Sequence, residues 1–145
     1  MGVNHVMDDE RCFVIDTTDF PVVRMIFPRI SNHEAIDRNF ENMLAVAANE
    51  PIVVIADARP LDVKIVTPKL RKHFFDKVNE YSELRGHHML GEAALLSGWV
   101  EQHFYQAYLW MKTDRAYPTK AFRSELDALD WCRGLLAEAR AEQTG

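Results

Sequence analysis

The feature that most constrains the fold is an apolar run near the middle of the chain. It reads Pro51-Ile52-Val53-Val54-Ile55-Ala56-Asp57-Ala58 and contains one charged residue. A strand that helices cover on both faces has such a nearly continuous run, whereas a strand with one wet face alternates apolar and polar residues. The run therefore predicts the central strand of a sheet between helices.

The segment before this run predicts an antiparallel hairpin followed by a helix. Residues 12–15 and 22–27 are rich in β-branched and aromatic side chains, and the four polar residues that follow residue 15 have turn chemistry. Ser31 or Asn32 can then cap a helix that ends before Pro51. The apolar positions of this helix follow helical spacing, which predicts that one face packs inward.

The segment after the run alternates helices and strands. Thr67 precedes Pro68, which combines a capping oxygen with proline at the first helical position. The predicted elements are a helix from Pro68 to before Gly86, a strand at 93–97, a helix from about Trp99 to Met111, a strand at 119–123 and a last helix that Ser124 caps. The last unit has the clearest boundary.

The predicted order is β-β-α-β-α-β-α-β-α, which is typical of an α/β domain. It indicates one mainly parallel sheet with an N-terminal antiparallel hairpin, flanked by about four helices. A length of 145 residues is enough for one domain and rarely enough for two. We expect a single domain over 1–145, with flexible ends at 1–10 and 140–145.

Charge and composition narrow the classes of function. The net charge of −5 leaves no excess of Lys and Arg to neutralise phosphates, so duplex nucleic acid is not an expected partner. No apolar stretch approaches the roughly 20 residues of a membrane span, and the first ten residues lack the pattern of a secretory signal. We therefore expect a cytoplasmic location. Cys12 and Cys132 match no metal or redox spacing, and we interpret both as buried free thiols.

The closing segment carries a family resemblance. It reads Phe122-Arg123-Ser124-Glu125-Leu126-Asp127-Ala128-Leu129-Asp130-Trp131. With the element order, it resembles the STAS/SpoIIAA-like superfamily, whose members begin with a hairpin and often end with a strand leading into Ser-Glu-x-x-Ala-x-x-Trp. The resemblance implies a SpoIIAA-like fold and a non-enzymatic regulatory or protein-interaction module that acts through a protein partner or as a homodimer.

The resemblance also implies a contact site at the start of the second predicted helix. STAS antagonists of anti-sigma factors carry a phosphorylatable Ser or Thr where the loop after the central strand enters its helix. Thr67 occupies this position here, with Asp57 and Arg59 at the start of the loop and Lys69 and Arg71 beyond Thr67. A phosphate on Thr67 would meet these basic groups and the positive end of the helix. Helix capping also accounts for Thr67 without any regulatory role.

An aromatic stretch supports an alternative function. The helix predicted at about 99–111 is apolar almost all round and needs two packing partners. These are the sheet and either a second subunit or another protein partner, or the sheet and a small apolar ligand; the helix can equally belong to an ordinary core. A ligand at this helix would make the chain a lipid or small-ligand carrier. The possible interface or pocket residues are Trp99, Phe104, Tyr105, Tyr108 and Trp110.

A small enzyme is the third hypothesis. Its candidate groups are His87, His88, His103, Asp57, Asp62, Asp114 and Arg59. Adjacent histidines on an extended segment point to opposite sides, and the sequence has no nucleotide-binding, lipase or zinc-protease signature. We therefore predict no catalytic residue, no metal and no cofactor, and we interpret the acids as surface charges.

Overall fold

A five-stranded sheet runs through the chain in the computed structural model, which describes residues 10–98, 103 and 117–144. Its strands are β1 (Val14–Asp16), β2 (Val22–Ile26), β3 (Ile52–Asp57), β4 (Met89–Leu95) and β5 (Thr119–Phe122). They lie in the order β1-β2-β3-β4-β5; β1 is antiparallel to β2, and all other pairs are parallel. The predicted mainly parallel sheet with an N-terminal hairpin is confirmed.

Strand β3 is the centre of the sheet, as its apolar run predicts. All six of its residues are buried, and parallel strands pair with it on both sides. Ile52, Val54 and Ala56 belong to the core on one face, while Val53 and Ile55 belong to the core on the other. The continuous apolar run is thus explained by burial on both faces.

Three α-helices cover the sheet in the part of the chain that the structure describes. They are α1 (His33–Val46), α2 (Pro68–Arg85) and α3 (Glu125–Thr144). Helices α1 and α2 pack on one face, and α3 packs on the other. Side-chain oxygens of Asn32, Thr67 and Ser124 accept hydrogen bonds from the first turns, at 2.8, 3.1 and 3.3 Å. These caps satisfy amide groups that have no partner within a helix.

The bounds of several elements differ from the predictions. Strand β4 begins at Met89, whereas we predicted Ala93. Gly91 and Glu92 interrupt the apolar pattern and conceal this start in the sequence, but the segment is a strand because it pairs with β3. Helix α3 extends through Thr144. Three helices are described rather than four, and the helix predicted at about 99–111 lies outside the described residues.

The two cysteines are free but differ in environment. Cys132 is fully buried on the inner face of α3, and burial raises the pKa of its thiol to about 11. Cys12 is only half-buried, with an Arg38 guanidinium nitrogen 3.7 Å from its sulfur, so the prediction of two buried thiols is wrong for Cys12. It precedes the edge strand β1, which has no neighbouring strand on its outer side in the described sheet.

Alkylation should distinguish the two thiols. In the folded protein we expect iodoacetamide to label Cys12 and to leave Cys132 unlabelled, because Cys132 is inaccessible and its thiolate form is disfavoured. Peptide mass spectrometry after brief labelling at neutral pH measures this. Labelling of both sites in denaturant is the control, and equal labelling rates in the native protein would contradict the described packing of α3.

A pair of glycines gives a matched test of packing between α3 and β4. A β-carbon at Gly91 would collide with the Leu135 side chain and lie 3.2 Å from the Trp131 ring. We expect Gly91→Ala to lower the free energy of unfolding by about 1–3 kcal/mol in urea titrations. Gly134→Ala, where a β-carbon meets nothing within 4 Å, should instead raise it by about 0.5–1 kcal/mol. Equal effects at the two sites would argue against this packing.

Candidate functional site

Two loops meet at the carboxyl ends of β2 and β3. Residues 27–32 join β2 to α1, and residues 58–67 join β3 to α2. The loops lie side by side because the two strands are parallel neighbours. The Asp62 amide donates to the Arg29 carbonyl at 2.9 Å, and an Arg29 guanidinium nitrogen lies 3.4 Å from an Asp62 carboxylate oxygen. This edge holds the candidate site.

An ionic network occupies the α3 side of this edge. Arg59 makes a two-pronged contact with Asp57, with Nε–Oδ1 at 2.9 Å and Nη2–Oδ2 at 2.8 Å. The same Nη2 lies 3.0 Å from Glu125 Oε1, and Arg24 Nη2 lies 2.9 Å from Glu125 Oε2. The network therefore links β2, the end of β3, its following loop and the first turn of α3.

Asp57 is the buried member of this network, with 6% of its surface exposed. Burial by itself would raise the pKa of the Asp57 carboxyl, but the Arg59 side-chain and backbone hydrogen bonds outweigh burial and hold the pKa below its usual value. The hydrogen bond to Asp57 is likewise the main reason that the pKa of Arg59 is raised. The interpretation of Asp57 as a surface charge is wrong, because the alternation of β3 turns its side chain toward α3.

An apolar groove opens on the opposite side of the same edge. We call it the loop groove, and its apolar lining includes Phe13, Phe27, Ile30, Leu61, Ile65, Leu70 and Phe74. The empty space beside these residues, together with adjoining open solvent, amounts to about 470 Å³. The Phe13, Phe27 and Phe74 rings contact one another, with centroids 4.9 to 6.2 Å apart. These rings are only half-buried, so the groove presents aromatic surface to its open side.

Basic residues line the loop groove or adjoin its lining in sequence. Arg71 lies in its wall, and Arg29, Lys64 and Lys69 are exposed neighbours in sequence of the lining residues Ile30, Ile65 and Leu70. We call Arg29, Lys64, Lys69 and Arg71 the basic rim. The 3-10 turn Val63–Ile65, which Asp62 caps through the Lys64 amide at 3.1 Å, positions Ile65 at the groove.

The structure separates the predicted contact residues into two groups. Thr67, Lys69 and Arg71 lie at the start of α2 near the loop groove, where Thr67 is exposed and caps the helix. Asp57 and Arg59 belong to the ionic network, which faces α3. Asp57 and Thr67 are close in sequence but lie on opposite faces of the sheet, because the loop between them crosses the edge of the sheet.

The other predicted site residues fall elsewhere. Asp114 and the aromatic set Trp99, Phe104, Tyr105, Tyr108 and Trp110 lie outside the described residues. His87 and His88 form a 3-10 turn with ring centroids 4.3 Å apart, so the expectation that they point to opposite sides is wrong. Within residues 10–98, 103 and 117–144, no group of three His, Cys, Asp or Glu side chains could hold a metal, and no helix there could cross a membrane.

Sequence reasoning missed half of the ionic network and the aromatic lining of the groove. Arg24 interrupts an otherwise apolar strand at a position that shares its face with buried Val22, and this signal could have placed it inside. No comparable signal brings Phe13, Phe27 and Phe74 together. Phe13 directly precedes β1, Phe27 directly follows β2, and Phe74 lies in α2. Only the tertiary fold brings them together at the groove.

The ionic network predicts a pH-dependent contribution to stability. We expect Asp57→Asn to lower the free energy of unfolding by about 1–3 kcal/mol at neutral pH, because it removes charged hydrogen bonds at a buried site. Since folding lowers the pKa of Asp57, its stabilisation is present above the unfolded pKa of about 3.9 and disappears as the pH falls through the folded value.

Urea titrations of both proteins between about pH 7 and about pH 3 measure this effect. The difference between wild type and Asp57→Asn should shrink as the pH falls. Asp76→Asn is the matched control, because Asp76 pairs with Lys72 on the exposed surface, and its cost at neutral pH should stay below about 1 kcal/mol. A difference for Asp57→Asn that grows toward low pH would contradict the network.

Comparison with known proteins relates the fold to one already solved. An uncharacterised protein of the DUF3478 family with a SpoIIAA-like fold, from Shewanella loihica PV-4, matches 83% of this chain and 92% of its own, with a TM-score of 0.54 at 16% identity. No family model and no curated protein matches the sequence. Identity at this level relates folds and not activities. The likeness confirms the SpoIIAA-like fold that the sequence resemblance implies.

Proposed function

We propose that this chain is a non-enzymatic protein-interaction module of regulatory type, which contacts a protein partner through the loop groove at the start of α2. The observation that carries the proposal is the open apolar groove itself. Ile65 at this groove keeps 38% of its surface exposed, beside three half-buried phenylalanine rings. Exposed apolar surface that is rimmed by polar residues is typical of protein-interaction sites.

The form of the groove favours a protein partner over a small ligand. Small-molecule pockets enclose most of the ligand and place a few polar groups to orient it. The hydroxyl of Ser31, a polar group of the lining, already donates to the Arg11 carbonyl at 2.9 Å. A partner side chain can enter the open side of such a groove while the rest of the partner covers the surrounding loops.

The chemistry of the neighbouring charges supports a role without catalysis. A general base needs a pKa near the working pH, whereas the pKa of Asp57 is lowered and both its oxygens accept from Arg59. The Thr67 hydroxyl accepts the Leu70 amide as a helix cap. Phosphorylation of Thr67, which the resemblance implies, would add negative charge beside Lys69 and Arg71 and so change what the groove surface attracts.

Site-specific photocrosslinking in the producing cell tests the proposal. We expect a photoreactive phenylalanine at position 65 to give one discrete adduct, because Ile65 lies at the proposed contact. Leu126 is the matched control, since it is also an exposed apolar residue, with 73% of its surface accessible, and it lies in the first turn of α3 on the opposite face of the sheet. Mass spectrometry of the adduct identifies the partner, and a mass of two chains identifies a homodimer.

Two results would contradict the proposal. Equal adducts at positions 65 and 126 would mean that the groove has no special role. No adduct at 65, together with native mass spectrometry that shows a monomer carrying a stoichiometric apolar molecule, would instead favour the alternative of a small-ligand or lipid carrier.

A further inference from the structure

We infer that the loop groove binds an acidic peptide segment of the partner, which inserts an aliphatic or aromatic side chain between flanking Asp or Glu residues. This inference rests on the proposed function and adds the chemistry of the partner. It follows from the combination of an apolar groove with a rim whose charge is opposite to that of the whole chain.

The charge of the rim segment departs from the chain's composition. The chain has 22 acidic and 17 basic residues, for a net charge of −5. The segment 61–72, which forms one side of the loop groove, contains Lys64, Lys69, Arg71 and Lys72 against the single acid Asp62. The first turn of α2 within this segment carries no acidic residue. The segment that forms one side of the groove therefore carries net positive charge, on a chain whose net charge is negative.

Part of this positive charge has no carboxylate partner among the described residues. Asp62 lies next to Arg29, and Asp76 pairs with Lys72, but no described carboxylate lies within ion-pair distance of the Lys64 or Lys69 ammonium. Both lysines are exposed and follow or precede groove residues directly in sequence. Acidic residues on either side of an inserted side chain would meet them without displacing an existing pair.

The groove and the basic rim contribute differently to binding. An apolar side chain that leaves water for the surface of Phe27, Leu70 and Phe74 supplies affinity through the apolar area that it buries. The exposed lysines act through solvent, so they supply electrostatic steering and selection of acidic over basic segments, and salt screens their contribution. A basic or neutral partner would leave Lys64 and Lys69 without complementary charge.

Peptide selection followed by variant binding tests this inference. A displayed library of random peptides of about 16 residues is selected for binding to the full chain. The affinities of the selected peptides, labelled with fluorescein, are then measured by fluorescence polarisation at about 50 and about 500 mM NaCl. We expect the selected peptides to share an apolar residue flanked by Asp or Glu. Ile65→Asp should weaken binding by at least about tenfold. The double variant Lys64→Glu/Lys69→Glu should do so at low salt and have a smaller effect at high salt.

A control variant with the same change in net charge tests whether the effect on affinity is specific to the basic rim. Lys120→Glu/Arg123→Glu alters two exposed residues at β5 and the start of α3, away from the loop groove, and should leave affinity within about twofold of wild type. Circular dichroism and urea titration check that each variant folds. Ile65→Ala, which introduces no charge, serves as the second groove variant if Ile65→Asp does not fold.

The outcomes separate the inference from the proposed function. One contrary result is a set of selected peptides that bind the Ile65 variants more weakly but lack acidic residues; another is a set that binds the Ile65 variants more weakly but binds Lys64→Glu/Lys69→Glu as tightly as wild type. Either result would overturn the acidic-partner inference and leave the groove as a contact site. Selected peptides whose affinity is unchanged by the Ile65 variants would overturn both the inference and the proposed function. Sodium laurate that binds more tightly than any selected peptide, and only when Ile65 is intact, would assign the groove to a small amphiphile and also overturn both.

Discussion

Burial of β3 on both faces is the constraint on which the other elements depend. Because parallel strands pair with it on both sides and helices cover it above and below, its backbone groups are satisfied and its apolar side chains reach two separate cores. The directions of β2 and β3 follow from this pairing. They bring the loops after both strands to one edge, where the candidate site forms.

The two sides of that edge perform different tasks. On the α3 side, Asp57 and Arg59 hold the loop after β3 to Glu125 at the start of α3. On the other side, the same loop presents Leu61 and Ile65 to the loop groove. The ionic network anchors the base of a loop whose outer part borders the proposed contact surface. Such an arrangement keeps a recognition surface ordered before a partner binds, which reduces the conformational entropy lost on association.

The fold alone does not specify a function, since the solved protein that shares it is itself uncharacterised. What supports a binding role is local chemistry: half-buried aromatic rings at an open groove, beside lysines with no described carboxylate partner. Near the groove, Asp62 pairs with Arg29 and the Thr67 hydroxyl caps α2, whereas no described carboxylate pairs with Lys64 or Lys69.

The sequence by itself determined the identity and order of the described elements, because short-range signals specify them. The apolar run of β3 and the caps at Asn32, Thr67 and Ser124 are such signals. Only the tertiary structure decided the start of β4, where pairing with β3 overrides the weak strand pattern at Gly91 and Glu92. It also decided the burial of Asp57 and the assembly of the groove. Both depend on contacts between residues distant in sequence, Glu125 with Arg59 and Phe74 with Phe13, which no local pattern specifies.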